Sequence, residues 1–441
     1  MDKNTGVVIP ARLYLQDSTG TWHFAESADS NGSAVRYKVD REGSVESHTT
    51  LSAHPFIASL PSGTCEITVE RGKEYRTLKK TIDPASVDGE LTLELERWVD
   101  MAAMGWYSGD THVHRTLKDL PNVVLAEDLN VVFPLIYWAW DGYEPPKKED
   151  PDFDPSKPVD LMEVDSSHVI YPLNTEYEIA RFKGKPHSLG AFFILNHKTP
   201  FEVGVPPVRN ILQKARDEGA LFELDKHNWP WSMMLIPILD VDLYELSNNH
   251  IWRTQFLFKD FGLKPFSTMT VEENDEGFTE WGWIQYGFEN YYLLLNCGYH
   301  LRPTAGTASG VHPVPLGFGR VYVHQPKGFD YENWVAGLDA GRSFVTTGPM
   351  LPIEVNGHPA KVEIFRNDDA PTEIVLSGEA LSPDPVDRIE VIKNGEIVDT
   401  IQPRNDKGDR GEFISDFSVR YNVVDSCWFA MRCFSRTPEG R

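Results

Sequence analysis

The sequence predicts an α/β barrel that lies between two β-sandwich domains, and three observations lead to this prediction. Residues 1–98 and 349–441 alternate apolar and polar positions between frequent turn signals, which is typical of antiparallel sheets. Residues 99–348 alternate strand-like and helix-like segments, as α/β folds do. Ten of the 14 histidines lie between His112 and His324. Because barrel enzymes place their chemistry at strand ends, we expect the middle domain to carry the functional site.

The N-terminal domain, residues 1–98, is predicted to be a β-sandwich. Residues 11–15 alternate as a strand does, and a Pro-Ser-Gly-Thr turn at 61–64 leads into a second strand at 65–70. This hairpin resembles the small sandwich modules of the carboxypeptidase-regulatory type. Its histidines show no metal-ligand spacing, so we interpret the following as surface or packing residues: His23, His48 and His54.

The middle domain, residues 99–348, repeats one pattern, in which an apolar strand is followed by His, Asn or Glu. Residues 208–216 have apolar positions at i, i+3, i+4 and i+7 and precede Gly219, so they predict a helix with a C-terminal glycine. The predicted strands cover 131–138, 191–197, 221–227 and 240–250, and a last helix covers 331–340.

The C-terminal domain, residues 349–441, is predicted to be a second β-sandwich. Asn-Gly pairs at 356–357 and 394–395 stand between alternating runs, and such pairs are strong hairpin signals. Cys427 and Cys433 lie on one predicted strand. An uninterrupted strand would separate them by about 20 Å, which is beyond the reach of a disulfide.

Composition excludes some functions. The formal charge of −24, from 66 acidic and 42 basic residues, argues against a nucleic-acid partner, because phosphate binding needs a positive surface. No run of 18 apolar residues predicts a membrane span. Residues 1–4 (Met-Asp-Lys-Asn) do not begin a signal peptide. We expect a soluble chain, and its compartment stays open: cytoplasmic, or exported after removal of a signal peptide.

One stretch in the middle domain has the spacing of a metal site. Residues 109–115 read Gly-Asp-Thr-His-Val-His-Arg, after a short predicted strand at 104–108. His112 and His114 are two apart on an extended segment and therefore point to the same face, together with Asp110. Two imidazoles on one face can bind one divalent ion, so the sequence predicts a metal site at the end of this strand.

This motif resembles those of the polymerase and histidinol phosphatase (PHP) superfamily of metal-dependent hydrolases. The likeness is closest to its carbaryl hydrolase-like (CehA/McbA) branch and covers roughly residues 100–430. The segments that carry it are residues 106–115, 297–307, 317–323 and 341–349.

The resemblance implies a distorted (β/α)7 barrel with one to three divalent ions, for which Zn, Mn and Fe all suit imidazole and carboxylate ligands. It implies hydrolysis of a phosphoester, carbamate, ester or amide bond through a metal-activated water. It also implies that His112 and His114 are ligands and that a glutamate bridges. Glu176 is our candidate for the bridge, and Glu127 is a second carboxylate close in sequence.

The sequence departs from the family pattern at two places. Residues 136–138 read Ile-Tyr-Trp where the family has Thr-Asp-His. The late Gly-Ser/Thr-Asp-x-His is here Gly-Thr-Ala-Ser-Gly-Val-His at 306–312, without the aspartate and with His312 displaced. These departures favour a mononuclear or rearranged site over a trinuclear one.

Several further residues are candidates for the site. His197, His227 and His250 each follow a predicted strand, so each is a metal ligand, a general base or a hydrogen-bonded core residue. Glu245 is either a ligand or the acceptor that orients a ligand histidine. We predict that Asp110 or His197 transfers the proton. Arg115 either contacts the developing negative charge or forms a salt bridge beside the site.

Two functional hypotheses follow. The first is a metal-dependent hydrolase acting on a small-molecule substrate. The second is a catalytically decayed barrel that binds a carbohydrate or another small molecule. Four tryptophans either wall a pocket for an aromatic or sugar-like substrate or, as we favour, pack at a domain interface: Trp229, Trp231, Trp281 and Trp283. The sequence leaves the oligomeric state open.

Overall fold

The computed structural model of the protein describes residues 1–41, 44–225, 232–249, 265, 267–360 and 371–435. Four residues discussed above lie outside these described ranges: His227, His250, Trp229 and Trp231. The described part contains thirty-one strands, five α-helices and three short 3₁₀ helices. The prediction of several β-rich domains is therefore confirmed at this coarse level. Within the described ranges, no helix combines the length and the apolar character needed to cross a membrane.

The N-terminal strands form an antiparallel six-stranded sheet and a separate two-stranded ribbon. The sheet has the order β4-β5-β1-β7-β8, with β2 paired to β1, and the ribbon joins β3 to β6. Leu13 and Leu15 of β1 pack with Ile67 and Val69 of β7 in its core. The bounds are β1 (Ala11–Asp17), β2 (Trp22–His23), β3 (Ala25–Ser27), β4 (Ala34–Arg41), β5 (Ser44–Leu51), β6 (Phe56–Ala58), β7 (Cys65–Glu70) and β8 (Leu78–Ile82).

The described residues of the middle of the chain form fifteen strands and all five described α-helices. The strands are β9 (Trp106–Val113), β10 (Val131–Pro134), β11 (Tyr137–Asp141), β12 (Lys147–Lys148), β13 (Met162–Glu163), β14 (Val169–Ile170), β15 (Thr175–Phe182), β16 (Lys185–Leu195), β17 (Leu221–Leu224), β18 (Leu243–Ser247), β19 (Glu273–Asn274), β20 (Gly277–Phe278), β21 (Arg302–Ala305), β22 (Arg320–His324) and β23 (Ser343–Thr346). The helices are α1 (Leu120–Glu127), α2 (Arg209–Asp217), α3 (Leu235–Leu239), α4 (Glu280–Asn296) and α5 (Tyr331–Asp339).

These strands form two mixed sheets, which we term the six-stranded and the seven-stranded middle sheets. Their orders are β13-β14-β10-β9-β22-β23 and β12-β11-β15-β16-β17-β18-β21, and the small hairpin β19-β20 stands apart. Both sheets mix parallel with antiparallel pairs. The predicted (β/α)7 barrel is not compatible with this arrangement, because such a barrel needs parallel strands with a helical crossover after each one.

The hairpin between β15 and β16 shows why the alternation of predicted elements was misleading. Lys183 and Gly184 both have positive φ, at 50° and 72°, and they join β15 directly to β16. A two-residue turn with both φ values positive matches the twist of antiparallel strands. The chain therefore returns without a helix. Likewise, the strand predicted at 131–138 is two strands, β10 and β11, which belong to different sheets.

The C-terminal strands form a five-stranded sheet, β25-β24-β26-β30-β29, and a three-stranded sheet, β28-β27-β31. Both predicted Asn-Gly hairpins are confirmed, since Asn356 and Asn394 have positive φ between paired strands. The bounds are β24 (Ile353–Val355), β25 (His358–Pro359), β26 (Thr372–Ser382), β27 (Val386–Lys393), β28 (Glu396–Ile401), β29 (Asp406–Lys407), β30 (Phe413–Val423) and β31 (Phe429–Ser435).

Buried ion pairs join the N-terminal sheet to α1. Arg12 of β1 pairs with Glu127, the last residue of α1, and with Glu70 of β7. Arg71 and Arg97 both pair with Asp128, at 2.6 Å and 2.7 Å. Glu127 therefore neutralises a buried guanidinium at this contact. Among the described residues it belongs to neither group that could hold a metal ion.

Candidate metal centre

The predicted histidine pair lies between the two middle sheets. β9 is buried along its whole length in the six-stranded sheet, and it ends in Thr111, His112 and Val113. The backbone N–H of His114 donates to Ser309 O at 2.8 Å, so the segment stays extended beyond the strand. Because His112 and His114 are two apart on this extended segment, both imidazoles face the seven-stranded sheet.

The seven-stranded sheet presents a row of side chains to these imidazoles. Four side chains stand in register across neighbouring strands of this sheet. In order, they are Trp138 (β11), Glu176 (β15), Phe193 (β16) and Glu223 (β17). Residues in register across a sheet share a face. The centroids of the His112 and Phe193 rings lie 4.5 Å apart, so this face of the sheet meets His112. Because Glu176 is in register with Phe193, its carboxylate lies on the same face.

Three ligand atoms converge at this point. His112 Nε2 lies 3.2 Å from His114 Nε2, and His114 Nε2 lies 3.2 Å from Glu176 Oε2. Around a tetrahedral ion with bonds of about 2.0–2.1 Å, neighbouring ligand atoms lie about 3.3 Å apart. The spacing therefore matches a metal coordination shell. The three residues could hold a metal ion, and we refer to them as the metal group.

A second set of carboxylates lies on the other side of the His112 ring. His112 Nδ1 lies 2.9 Å from Glu245 Oε1 and 4.0 Å from Asp225 Oδ1. These three residues also have the composition and closeness of a metal-binding group. If the Nδ1–H of His112 donates to Glu245, the Nε2 atom of His112 carries no proton and its lone pair points toward the metal group. Carboxylates commonly orient ligand histidines through such a hydrogen bond. This geometry is compatible with the orienting position, and membership of the second group is compatible with a ligand, so both alternatives for Glu245 stay predictions.

Glu223 adds a buried carboxyl group beside this cluster. Thr111 Oγ1 and Thr304 Oγ1 each donate to Glu223 Oε1 at 2.8 Å. Burial raises the pKa of Glu223 to about 8, and the nearby charges of Asp225 and Asp110 act in the same direction. Glu223 therefore holds its proton more readily than an ordinary glutamate, which lessens the repulsion among the carboxyl groups of this face.

Asp110, predicted to transfer a proton, binds the loop that follows β21. Its carboxylate accepts hydrogen bonds from Thr307 Oγ1 at 2.5 Å, from Gly317 N at 2.9 Å, and from the backbone N–H groups of His112 and Thr307. Burial raises its pKa to about 6, while these hydrogen bonds act in the opposite direction. Asp110 thus holds the loop after β21 through hydrogen bonds. It belongs to neither metal-binding group of the described residues.

Gly306 is the point at which this loop contacts the site. A Cβ at Gly306 would lie 2.2 Å from His112 Cβ and 2.2 Å from Glu245 Oε1. We expect Gly306→Ala to displace both residues, to lower the free energy of unfolding by about 1–3 kcal/mol, and to weaken metal binding. Urea denaturation and metal titration measure the two effects. The control is Gly348→Ala, whose Cβ meets only Ser435 Oγ at 4.0 Å; equal behaviour of the two variants would contradict the packing argument.

His197 and Arg115, the other predicted catalytic residues, have partners away from the metal group. His197 Nε2 accepts from Thr175 Oγ1 at 2.9 Å, and its Nδ1–H donates to Thr199 O at 3.0 Å. Arg115 donates to Ser309 Oγ at 3.1 Å, and its guanidinium lies 3.6 Å from the centre of the Tyr37 ring. Tyr37 comes from β4, so Arg115 links the N-terminal sheet to the loop after β21.

The buried ring of His197 predicts acid sensitivity. Burial lowers its pKa to about 4, against an ordinary value of 6.5. The unfolded chain therefore binds more protons between these two pH values, and stability falls as the pH falls through this window. We expect His197 to account for a loss of about 2 kcal/mol at pH 5 relative to neutral pH. Urea denaturation at both pH values should show a smaller loss in His197→Gln; an equal loss would contradict this assignment.

Sequence reasoning missed three residues that line this site: Trp138, Glu223 and Asp225. The signal for the acidic pair was present, because the two carboxylates lie two apart at the end of a short apolar strand. Trp138 was noted only as a departure from the family pattern.

Of the tryptophans predicted at a pocket or interface, Trp283 packs on Phe278 and Tyr286, and Trp281 packs on Phe434.

Comparisons of the chain with protein-family models, with curated proteins and with solved structures found no match. The description of this site as a candidate metal centre therefore depends on its own geometry: two imidazole nitrogens and one carboxylate oxygen, buried between two sheets and spaced as a metal ion requires.

Proposed function

We propose that the protein is a metal-dependent hydrolase that cleaves an ester-type bond (phosphoester, carbamate, ester or amide) of a small molecule with a bound water. The observation that carries the proposal is that His114 Nε2 lies 3.2 Å from both His112 Nε2 and Glu176 Oε2, with all three ligand atoms within 4.8 Å of one another. The likeness of residues 106–115 to the PHP superfamily supports the same chemistry. The support from this likeness depends on the sequence motifs alone and does not require a barrel fold.

The donor set fits a divalent transition metal. Imidazole and carboxylate ligands suit Zn, Mn and Fe alike, and one to three ions remain compatible with the two neighbouring groups. His114 Nε2 lies at hydrogen-bond distance from both other ligand atoms. It must lose its proton to act as a ligand, so metal binding should release protons and weaken in acid.

Each residue of the site has a defined role in the proposal. Glu245 accepts from His112 Nδ1–H and so fixes the tautomer in which His112 Nε2 is a ligand. Trp138 lies 5.0 Å from the His114 ring and limits its exposure to water. A divalent ion held by these ligands would lower the pKa of water to about 7 and polarise the scissile bond. Asp110 supports the ligand strand through its hydrogen bonds to the loop after β21.

Hydrolysis by metal-reloaded protein tests the proposal. The protein is stripped with a chelator, reloaded with Zn, Mn or Fe, and assayed on p-nitrophenyl phosphate, acetate and carbamate esters and an anilide. We expect metal-dependent turnover that Glu176→Gln reduces at least about 100-fold, because removing a ligand should cost no less than removing its orienting partner. Glu163→Gln, at an exposed position on β13, is the matched control.

Two results would count against the proposal. One is turnover that is equal with and without metal. The other is stoichiometric metal binding with no turnover on any substrate class, which would favour the binding-protein alternative.

A further inference from the structure

A small pocket is lined by Trp138, whose ring also contacts the ring of His114 in the metal group. Its volume is about 260 Å³. That is below the range of about 300–1,000 Å³ typical of sites for drug-sized ligands, so the pocket suits an end group better than a whole molecule. We term it the indole pocket, and it is lined by Trp138, Trp140, Asp141, Glu144, Pro145, Lys147 and Glu149.

Two indole rings form a corner of this pocket. The rings of Trp138 and Trp140 lie 5.4 Å apart between centroids, at an interplanar angle of 89°. Trp138 also lies 5.0 Å from the His114 ring, so a single side chain separates the pocket from a ligand of the metal group. Perpendicular aromatic faces are the arrangement that binds quaternary ammonium groups by cation–π attraction.

The charges that line the indole pocket favour a cation. Three carboxylates and one ammonium group line it, and Lys147 Nζ pairs with Glu144 Oε2 at 2.9 Å on the exposed rim. Asp141 and Glu149 leave a negative surplus. Asp141 Oδ1 is buried and has no hydrogen-bond partner within the described residues, which costs free energy unless a ligand supplies a donor or a positive charge.

Two neighbouring groups bear on this preference. The exposed Arg181 places its guanidinium carbon 5.9 Å from the centre of the Trp140 ring, so an indole face here already attracts a cation. The Nε1–H of Trp138 is buried without an acceptor among the described residues. It is a free donor at a residue that lines the pocket. Lys147 interacts electrostatically with Asp141, and Arg181 is in register with it. A cationic ligand would add to these favourable contacts, whereas a neutral aromatic ligand would gain no charge contact and an anion would be repelled by the carboxylates.

We propose that the indole pocket binds the alkylammonium end of the substrate, while the ester-type bond of the same molecule lies at His112, His114 and Glu176. The proposal rests on the proposed function for its reaction, but the pocket itself can be tested without turnover. It commits the substrate to one class: a positively charged amino-alcohol or amino-acid type ester, phosphoester or amide.

Binding of choline, compared with its neutral isostere 3,3-dimethylbutan-1-ol, tests the pocket. Tryptophan fluorescence titrations of the Zn-loaded full chain measure both dissociation constants. We expect choline to bind at least about fivefold more tightly, and Trp140→Ala to remove about that factor, because an exposed cation–π contact is worth about 1 kcal/mol. Tyr143→Ala is the matched control, because Tyr143 is the next aromatic residue after Trp140 in the sequence. Its ring is exposed but does not line the pocket.

The outcomes separate this inference from the proposed function. Equal affinity for choline and the isostere, or equal choline affinity of wild type and Trp140→Ala, overturns the indole pocket whatever the hydrolysis assay shows. A choline preference that depends on Trp140, found together with no turnover on any ester, supports the pocket and contradicts the hydrolase. Turnover that is faster on choline esters than on their neutral isosteres supports both.

Discussion

Metal binding is expected to fall at least about 100-fold when His112 is replaced by alanine, since loss of an orienting partner alone costs 10–100-fold. His112 is the only described residue shared by the two groups that could hold an ion. Its Nε2 lies at the metal group, and its Nδ1 lies on Glu245. The substitution therefore removes a ligand and leaves the Glu245 carboxylate without this donor.

Isothermal titration with Zn and Mn, together with elemental analysis of the purified variant, measures this loss. His187→Ala is the matched control, because His187 is an exposed histidine near the turn between β15 and β16 and belongs to neither metal-binding group of the described residues. Circular dichroism should confirm that both variants remain folded. Wild-type affinity in folded His112→Ala would show that the metal binds elsewhere.

The largest loss of stability is expected from Arg12→Met. The Arg12 side chain is 6% exposed and pairs with Glu127 and Glu70, whose side chains are 2% and 14% exposed. Removing one partner of a buried ion pair leaves an uncompensated charge, which typically costs 3–5 kcal/mol. We therefore expect the free energy of unfolding to fall by about that amount, because Glu127 keeps its buried position at the end of α1.

Urea denaturation measures this effect, and two variants interpret it. Lys3→Met breaks the exposed pair with Glu96, at 3.0 Å, and should change stability by less than about 1 kcal/mol. Adding Glu127→Gln to Arg12→Met should recover part of the loss, because it removes the orphaned charge. A loss below 1 kcal/mol in Arg12→Met would contradict the role given to this ion pair.

Much of the local structure follows from the sequence. The predicted helices at 208–216 and 331–340 correspond to α2 and α5, and both Asn-Gly pairs form hairpins. These elements depend on periodicity and turn chemistry, which are local properties. The candidate metal group was also within reach, because the His-x-His spacing indicated His112 and His114, and the family resemblance supplied Glu176 as a candidate carboxylate.

The remaining features depend on contacts between residues remote in the chain. Glu127 and Arg12 are 115 positions apart, so no local pattern could show that Glu127 neutralises a guanidinium instead of joining the site. The order of the sheets was missed for a related reason. The Lys183-Gly184 turn sends β16 back antiparallel to β15, and the sequence analysis, which expected strands and helices to alternate over 99–348, made no prediction for this turn.

The proton-transfer roles of Asp110 and His197 stay predictions. Both side chains are buried and hydrogen-bonded as described above, and such bonds are what a supporting role requires. His227 and His250 lie outside the described residues, so their predicted roles as ligands also stay predictions.

Anomalous X-ray scattering from crystals of the Zn- or Mn-loaded protein tests the central claim most directly. The account predicts a peak at the absorption edge of the metal within about 2.0–2.2 Å of His112 Nε2, His114 Nε2 and a Glu176 carboxylate oxygen. A peak that lies away from both imidazoles, or a metal-loaded crystal with no peak between the two middle sheets, would contradict it.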